Sequence, residues 1–348
     1  LHSLRRRQRQ MCIRDRYLTE LNSDVKSVKG KPVKIWQGGF KNAHELGGGF
    51  GMEGSHMYRI NGKYYITCPA GGTGGWQICL RSDNIYGPYE HKLIMNDWSS
   101  YPENGLHQGG MVQLKNGDWW FMIMQDRGPI GRVPCLVPVK WINGWPMLGD
   151  EGKDLITYPK PATGKKSKIK SPATTDEFNA SQLGLQWQWN HNPDNSRWSL
   201  KERKGYMRLY ASQASTLKDA RNTLTQRVQG PSCEGSVEME VTGLKDGNIA
   251  GFGIFEFPYA YVAIRQESGR RKIVMCNDGK DIETVEHFNG DKLWIRVRAT
   301  DKEFKALFYY SLDGVNYKRI GNELQMGLGL PWTANRFASV SYTHLTLP

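Results

Sequence analysis

The chain has 348 residues, 47 Lys and Arg against 34 Asp and Glu, a net charge of +13 and a mean hydropathy of −0.60. That length suffices for two domains, and no run of 18 or more apolar residues exists to span a membrane as a helix. Residues 1–16 hold six Arg and one Asp, so +5 of the charge is local and the remaining +8 is scattered; without a continuous basic face, nucleic acid is not an expected partner.

Along the chain, LHSLRRRQRQMCIRDR at the start resembles translated sequencing-adapter sequence and is set apart from fold reasoning as a non-native arm, residues 1–16. Tyr17-Leu18-Thr19-Glu20-Leu21 and Val33-Lys34-Ile35-Trp36 read as strands. Then comes a glycine-rich stretch, Gly47-Gly48-Gly49-Phe50-Gly51-Met52-Glu53-Gly54, followed by strands over 56–60 and 63–67 joined at Asn61-Gly62. An Asn-Gly pair between such runs is a strong hairpin signal. Glu53 stands just before the first strand, where the glycines let the backbone turn sharply and leave its carboxylate uncrowded. The pattern recurs at Leu106-His107-Gln108-Gly109-Gly110 through Asn116-Gly117 to Trp119-Trp120-Phe121, with Gly117 lying 55 positions after Gly62. Repeats of short antiparallel strands at about 40–50 residues point to propeller blades, here at about 53–95 and 107–147. The innermost strand of each blade starts near the axis, so Glu53 and His107 are expected to aim at one central cavity.

A Lys-, Gly- and Pro-rich linker covers 156–171, and its Lys165-Lys166-Ser167-Lys168-Ile169-Lys170 run reads as solvated. Beyond it the pattern becomes sandwich-like. Strands are expected within Ile249–Ile264, at Lys272–Cys276, at Leu293–Ala299 and at Phe304–Tyr310, with turns at Ser268-Gly269, Asp278-Gly279 and Asp313-Gly314. Ser339 to Pro348 again resembles adapter sequence and is set apart as a non-native tail. The six cysteines, Cys12, Cys68, Cys79, Cys135, Cys233 and Cys276, form no CxxC, and strand-like surroundings favour buried thiols over a disulfide frame or zinc site.

Three stretches together resemble glycoside hydrolase family 43, five-bladed propeller enzymes that cleave xylosides and arabinosides. They are Met52-Glu53-Gly54-Ser55-His56 with its Asn61-Gly62 hairpin, Arg81-Ser82-Asp83-Asn84-Ile85-Tyr86-Gly87-Pro88, and Gly131-Arg132-Val133-Pro134-Cys135-Leu136-Val137-Pro138 running on to Gly144-Trp145-Pro146. The stretch from Asp176-Glu177-Phe178 to Trp187-Gln188-Trp189-Asn190 resembles the start of the concanavalin-A-like domain that follows many family 43 β-xylosidase catalytic domains. The resemblance implies an all-β fold. The later blades of a five-bladed propeller are expected over 17–155, and a concanavalin-A-like sandwich over 172–338.

Inverting glycoside hydrolysis uses two carboxyl groups, one protonating the leaving oxygen and one activating water, roughly 6.5–9.5 Å apart. The acid must hold its proton near neutral pH, which burial and a neighbouring negative charge can arrange. By resemblance Glu53 is the general acid and His107 and Arg132 contact sugar; Trp76, in Gly74-Gly75-Trp76, is a further candidate sugar contact read from the residues alone. Arg132 would do so with a fork of fixed donors suited to hydroxyls, and Trp76 by stacking, although a blade-packing role fits Trp76 better. The family's base and tuning Asp precede the general acid. Here only Asp15, Glu20, Asp24 and Glu45 do, without the family's surrounding pattern, so neither role is assigned and the chain by itself is expected to be inactive. The implied function is a fragment of an exo-acting β-xylosidase or α-L-arabinofuranosidase acting on xylo- or arabino-oligosaccharides. No cofactor is required and no metal ligand is assigned, a structural Ca²⁺ being the one ion to consider. A non-catalytic carbohydrate-binding protein is the alternative, and upstream Asp motifs would discriminate the two. The sequence specifies neither oligomeric state nor compartment, whether periplasmic, secreted or cytoplasmic.

Overall fold

A computed structural model describes residues 15–36, 52–97, 104–153, 157–164, 168, 170–300, 302–327 and 333–344. No α-helix occurs among them, and the chain divides into two compact units, Leu1–Arg127 with Arg132–Ser167 and Gly128–Gly131 with Lys168–Pro348.

In the first unit, β1 (Arg16–Leu21) and β2 (Val28–Trp36) form an antiparallel pair. Four strands, β3 (His56–Ile60), β4 (Lys63–Ala70), β5 (Trp76–Ser82) and β6 (Glu90–Met95), build one sheet in chain order. A second sheet repeats the scheme with β7 (Leu106–Gln113), β8 (Trp119–Asp126), β9 (Arg132–Ile142) and β10 (Trp145–Leu148). Four-stranded up-and-down sheets of this kind are propeller blades, at the places the repeat predicts. Asn61 (φ 49°) and Gly62 (φ 82°) both adopt the left-handed conformation that a two-residue hairpin of the favoured hand requires.

Alternation explains how the blades pack. Successive strand side chains point to opposite faces, so on β4 and β5 Ile66, Cys68, Ala70, Ile78 and Leu80 share a core with Ile35, Trp36 and Met52. Tyr65 and Cys79 face the other way, into a cluster with Ile94, Phe121, Ile123 and Val137. A blade covered on both faces therefore reads as an almost continuous apolar run. The second blade differs: Phe121 is fully buried, whereas its neighbour Met122 is 51% exposed, as are Val112 and Leu136 in large part. Burial also pushes the Cys68 thiol up to about 11, and no disulfide occurs among the described cysteines; Cys12 lies outside the described residues.

The second unit is a sandwich of an eight-stranded and a five-stranded sheet, accompanied by a two-stranded pair. The larger sheet runs Trp187–Trp189, Leu224–Arg227, Arg336–His344, Asn248–Phe255, Ala260–Glu267, Arg270–Asn277, Lys280–Val285, with Ser212–Ala214 pairing parallel to Arg336–His344. The smaller is built on Ser232–Glu240, Lys292–Thr300 and Lys305–Ser311. The expected turns form, with left-handed Ser268-Gly269 and Asp278-Gly279. The last strand runs past the expected end of the sandwich. Ser339–His344, expected to lie outside the sandwich, continues a central strand that pairs with Asn248–Phe255, and Val340 and Tyr342 are buried. The reason is visible in Ser339-Val340-Ser341-Tyr342-Thr343, whose period-two alternation suits a strand. The proposed N-terminal arm lies outside the described residues up to residue 14.

Candidate active site

Glu53 sits at the head of β3, exposed, between buried Met52 and Gly54, which has a left-handed φ of 53°. Gly54 lies against the side chain of Gln108 at the head of the next blade, since a Cβ on Gly54 would stand 3.0 Å from Gln108 Nε2. The heads of the two inner strands are thus neighbours, as the blade reading predicts.

Gln108 occupies a β-bulge. Its φ is 58°, and the β7–β8 register shifts between His107 and Gly109. Bulges re-aim side chains and are common beside active sites. This one is held from two sides. Gln108 N donates to Gln77 Oε1 at 2.8 Å, and Gly109 comes so close to β8 that a Cβ there would stand 1.8 Å from Met122 O. No residue larger than glycine fits that approach.

Beside the bulge stands a charge cluster in which His107 and Asp126 are buried and Arg132 is half-buried. His107 is 4% exposed and its Nδ1 lies 3.1 Å from Gly105 O, so Nδ1 carries the proton and donates to that carbonyl. Its Nε2 faces Asp126 Oδ2 at 3.6 Å, beyond hydrogen-bond length. Burial pulls the His107 imidazole below its ordinary value; the Asp126 carboxylate opposes this and the Arg132 cation adds to it. Arg132 donates through Nε to Asp126 Oδ1 at 3.4 Å and through a terminal nitrogen to Gln108 Oε1 at 3.3 Å. Asp126 Oδ2 is buried without a hydrogen-bond partner.

Of the residues expected to touch sugar, the structure therefore brings His107 and Arg132 together around Asp126, and Gly54, the residue after Glu53, lies against Gln108 of the same cluster. Trp76 is not among them. It is 6% exposed and packs in the core with Ile66, Cys68 and Ile78, because β5 is covered on both faces. That placement corrects the stacking role and agrees with blade packing. Gln77, Gln108 and Asp126 were not assigned functions from sequence. An acid and two amides at the ends of apolar strands, as in Phe121-Met122-Ile123-Met124-Gln125-Asp126, are the signal that could have marked them.

Three of the four acids upstream of Glu53 have local partners. Asp15 pairs with Lys34 at 3.4 Å, Glu20 with Lys29 at 2.9 Å, and Asp24 Oδ1 accepts from Lys26 N; Glu45 lies outside the described residues. Among the described residues no group of three or more His, Cys, Asp or Glu side chains could hold a metal ion. The donors around His107 also fit one poorly, since the carboxylate beside Nε2 is shared with a guanidinium.

Two propeller blades, with an exposed acid and a buried His107–Asp126 pair beside Arg132 at the ends of their strands, are followed in the chain by a β-sandwich. Residues 6–146 belong to glycosyl hydrolase family 43, whose model they match, and residues 175–337 match the β-xylosidase C-terminal concanavalin A-like domain. A β-xylosidase of Formosa agariphila is 31% identical over 344 residues, spanning 84% of this chain and 57% of that protein. The non-reducing end α-L-arabinofuranosidase BoGH43B of Bacteroides ovatus is 35% identical over 176 residues, 47% of this chain and 33% of that protein. A solved structure of a bifunctional GH43-CE protein from Bacteroides eggerthii superposes with a TM-score of 0.83 at 36% identity, covering 95% of this chain and 43% of that one. The chain spans about half the length of the curated relatives it matches.

Proposed function

We propose that this chain is part of an exo-acting glycosidase that hydrolyses β-xylosides or α-L-arabinofuranosides of plant hemicellulose with inversion. The observation that carries the reading is the placement of Glu53: exposed at the head of an inner strand, beside a bulge that also anchors Arg132. The relatives, a β-xylosidase and an α-L-arabinofuranosidase, support the substrate class.

In this reading Glu53 protonates the departing glycosidic oxygen, a step worth about 10²–10⁴-fold in rate. Arg132 binds sugar hydroxyls through its guanidinium, and His107 borders the same sugar. Inversion needs a second carboxylate to activate water from the opposite side. Asp126 is unsuited to that task, because its carboxylate faces Arg132 and His107. The base is therefore proposed to lie in the longer protein, and the 348-residue chain alone to be inactive.

The test is release of p-nitrophenol from the β-xyloside and the α-L-arabinofuranoside by the full-length protein, with Glu53→Gln as control. Cleavage lost in the variant supports the proposal. A full-length protein that binds these sugars without cleaving them would overturn it in favour of a binding module. Release by the 348-residue chain above its own Glu53→Gln control would overturn its inactivity.

A further inference from the structure

We propose that Asp126 is a positioning residue for Arg132: its carboxylate fixes the guanidinium so that Arg132 meets the sugar in one orientation. This rests on the reading of Arg132 as a sugar contact. Three observations support it. Asp126 lies at the last position of β8 and Arg132 at the first of β9, and the two are register partners across the sheet, so the backbone itself sets them side by side. The carboxylate is largely shielded, with its side chain 12% exposed against 34% for Arg132, so the pair is screened less than a surface ion pair. Finally, Arg132 is held at two nitrogens by two strands, Nε by Asp126 of β8 and a terminal nitrogen by Gln108 of β7.

Two anchors on one planar group remove rotation about the last side-chain bonds, which a long exposed arginine otherwise retains. The entropy of ordering that side chain is then lost on folding and not on sugar binding. Gln108 can serve as the second anchor because the bulge turns it, and Gln77 holds the bulge. A lone carboxylate beside a flexible arginine would not give this fixed orientation.

The experiment is side-chain NMR on the 348-residue chain, following exchange of the Arg132 Nε–H with water. A hydrogen bond to a charged group lost from Nε corresponds to about tenfold or more in that exchange. Asp126→Ala, which leaves Nε without that acceptor, should therefore speed the exchange about tenfold, while the Arg81 side chain, held by Asn143 O and Glu90, keeps its own rate. Equal Arg132 rates in the wild type and a folded Asp126→Ala variant would overturn the proposal. Should that variant fail to fold, Asp126→Glu keeps the charge but displaces the carboxylate by one methylene. It should shift the Arg132 Nε–H resonance, and an unmoved resonance would equally overturn the proposal. Because neither readout needs catalysis, the two readings separate. An Arg132 that responds in a protein whose full-length form cleaves no glycoside leaves positioning standing and removes the glycosidase. Cleavage with an unresponsive Arg132 does the reverse.

Discussion

Gly75 is pressed against His107: a Cβ on Gly75 would stand 2.9 Å from His107 Cγ, 2.4 Å from Ala70 O and 2.7 Å from Gly72 O. The short turn between β4 and β5 thus forms one wall of the histidine's pocket. Two of the three clashes are with backbone, which cannot swing away. Gly75→Ala should cost about 1–3 kcal/mol as an overpacking change and displace the imidazole. Urea unfolding and the His107 ring resonances check this, and a variant with wild-type stability and unmoved resonances would contradict it.

The same burial gives a pH dependence with a definite sign. His107 titrates below its ordinary 6.5 in the folded chain because burial disfavours the imidazolium. The unfolded chain therefore takes up a proton first as pH falls. The stability contributed by neutral His107 is present above pH 6.5 and is lost as pH drops from there toward the lower folded value. Unfolding free energies of the wild type and His107→Gln, compared at pH 7.5 and at pH 5, should converge toward acid. A difference that stays flat or widens at low pH would refute the assignment.

Neighbours on one strand should respond very differently to truncation. Phe121 is fully buried between the two blades, whereas Met122 points outward and is 51% exposed. Phe121→Ala should cost about 3–5 kcal/mol through lost burial and the cavity left behind, while Met122→Ala should stay within about 0.5 kcal/mol. Similar losses in the two variants would mean that the face of β8 has been misassigned.

For the full-length protein, Glu53→Ala should slow substrates with poor leaving groups far more than those with activated ones, since protonation matters most when the departing oxygen is a strong base. Added azide should not yield a product of retained configuration, because an inverting site forms no glycosyl-enzyme. NMR of the first-formed anomer decides the stereochemistry. Equal losses on every leaving group, or retention, would remove Glu53 as the acid of an inverting reaction.

Local chemistry alone determined the hairpins: Asn61-Gly62 and Asp278-Gly279 adopt the left-handed conformations their turns need, and that preference resides in the residues themselves. The blade repeat and the position of Glu53 at a strand head were legible for the same reason, because period-two alternation and glycine-rich turns are short-range signals. Tertiary structure decided the rest. Trp76 is an aromatic beside glycines in the sequence, and only the packing of β1, β2 and β4 around it makes it core. Ser339–His344 became a central strand because Asn248–Phe255, some ninety residues earlier, supplies its partners. The cluster of His107, Asp126, Arg132 and Gln108 depends on one bulge and on the β8–β9 register. A one-residue slip would turn each of these side chains to the opposite face, and no local feature of the chain encodes that register.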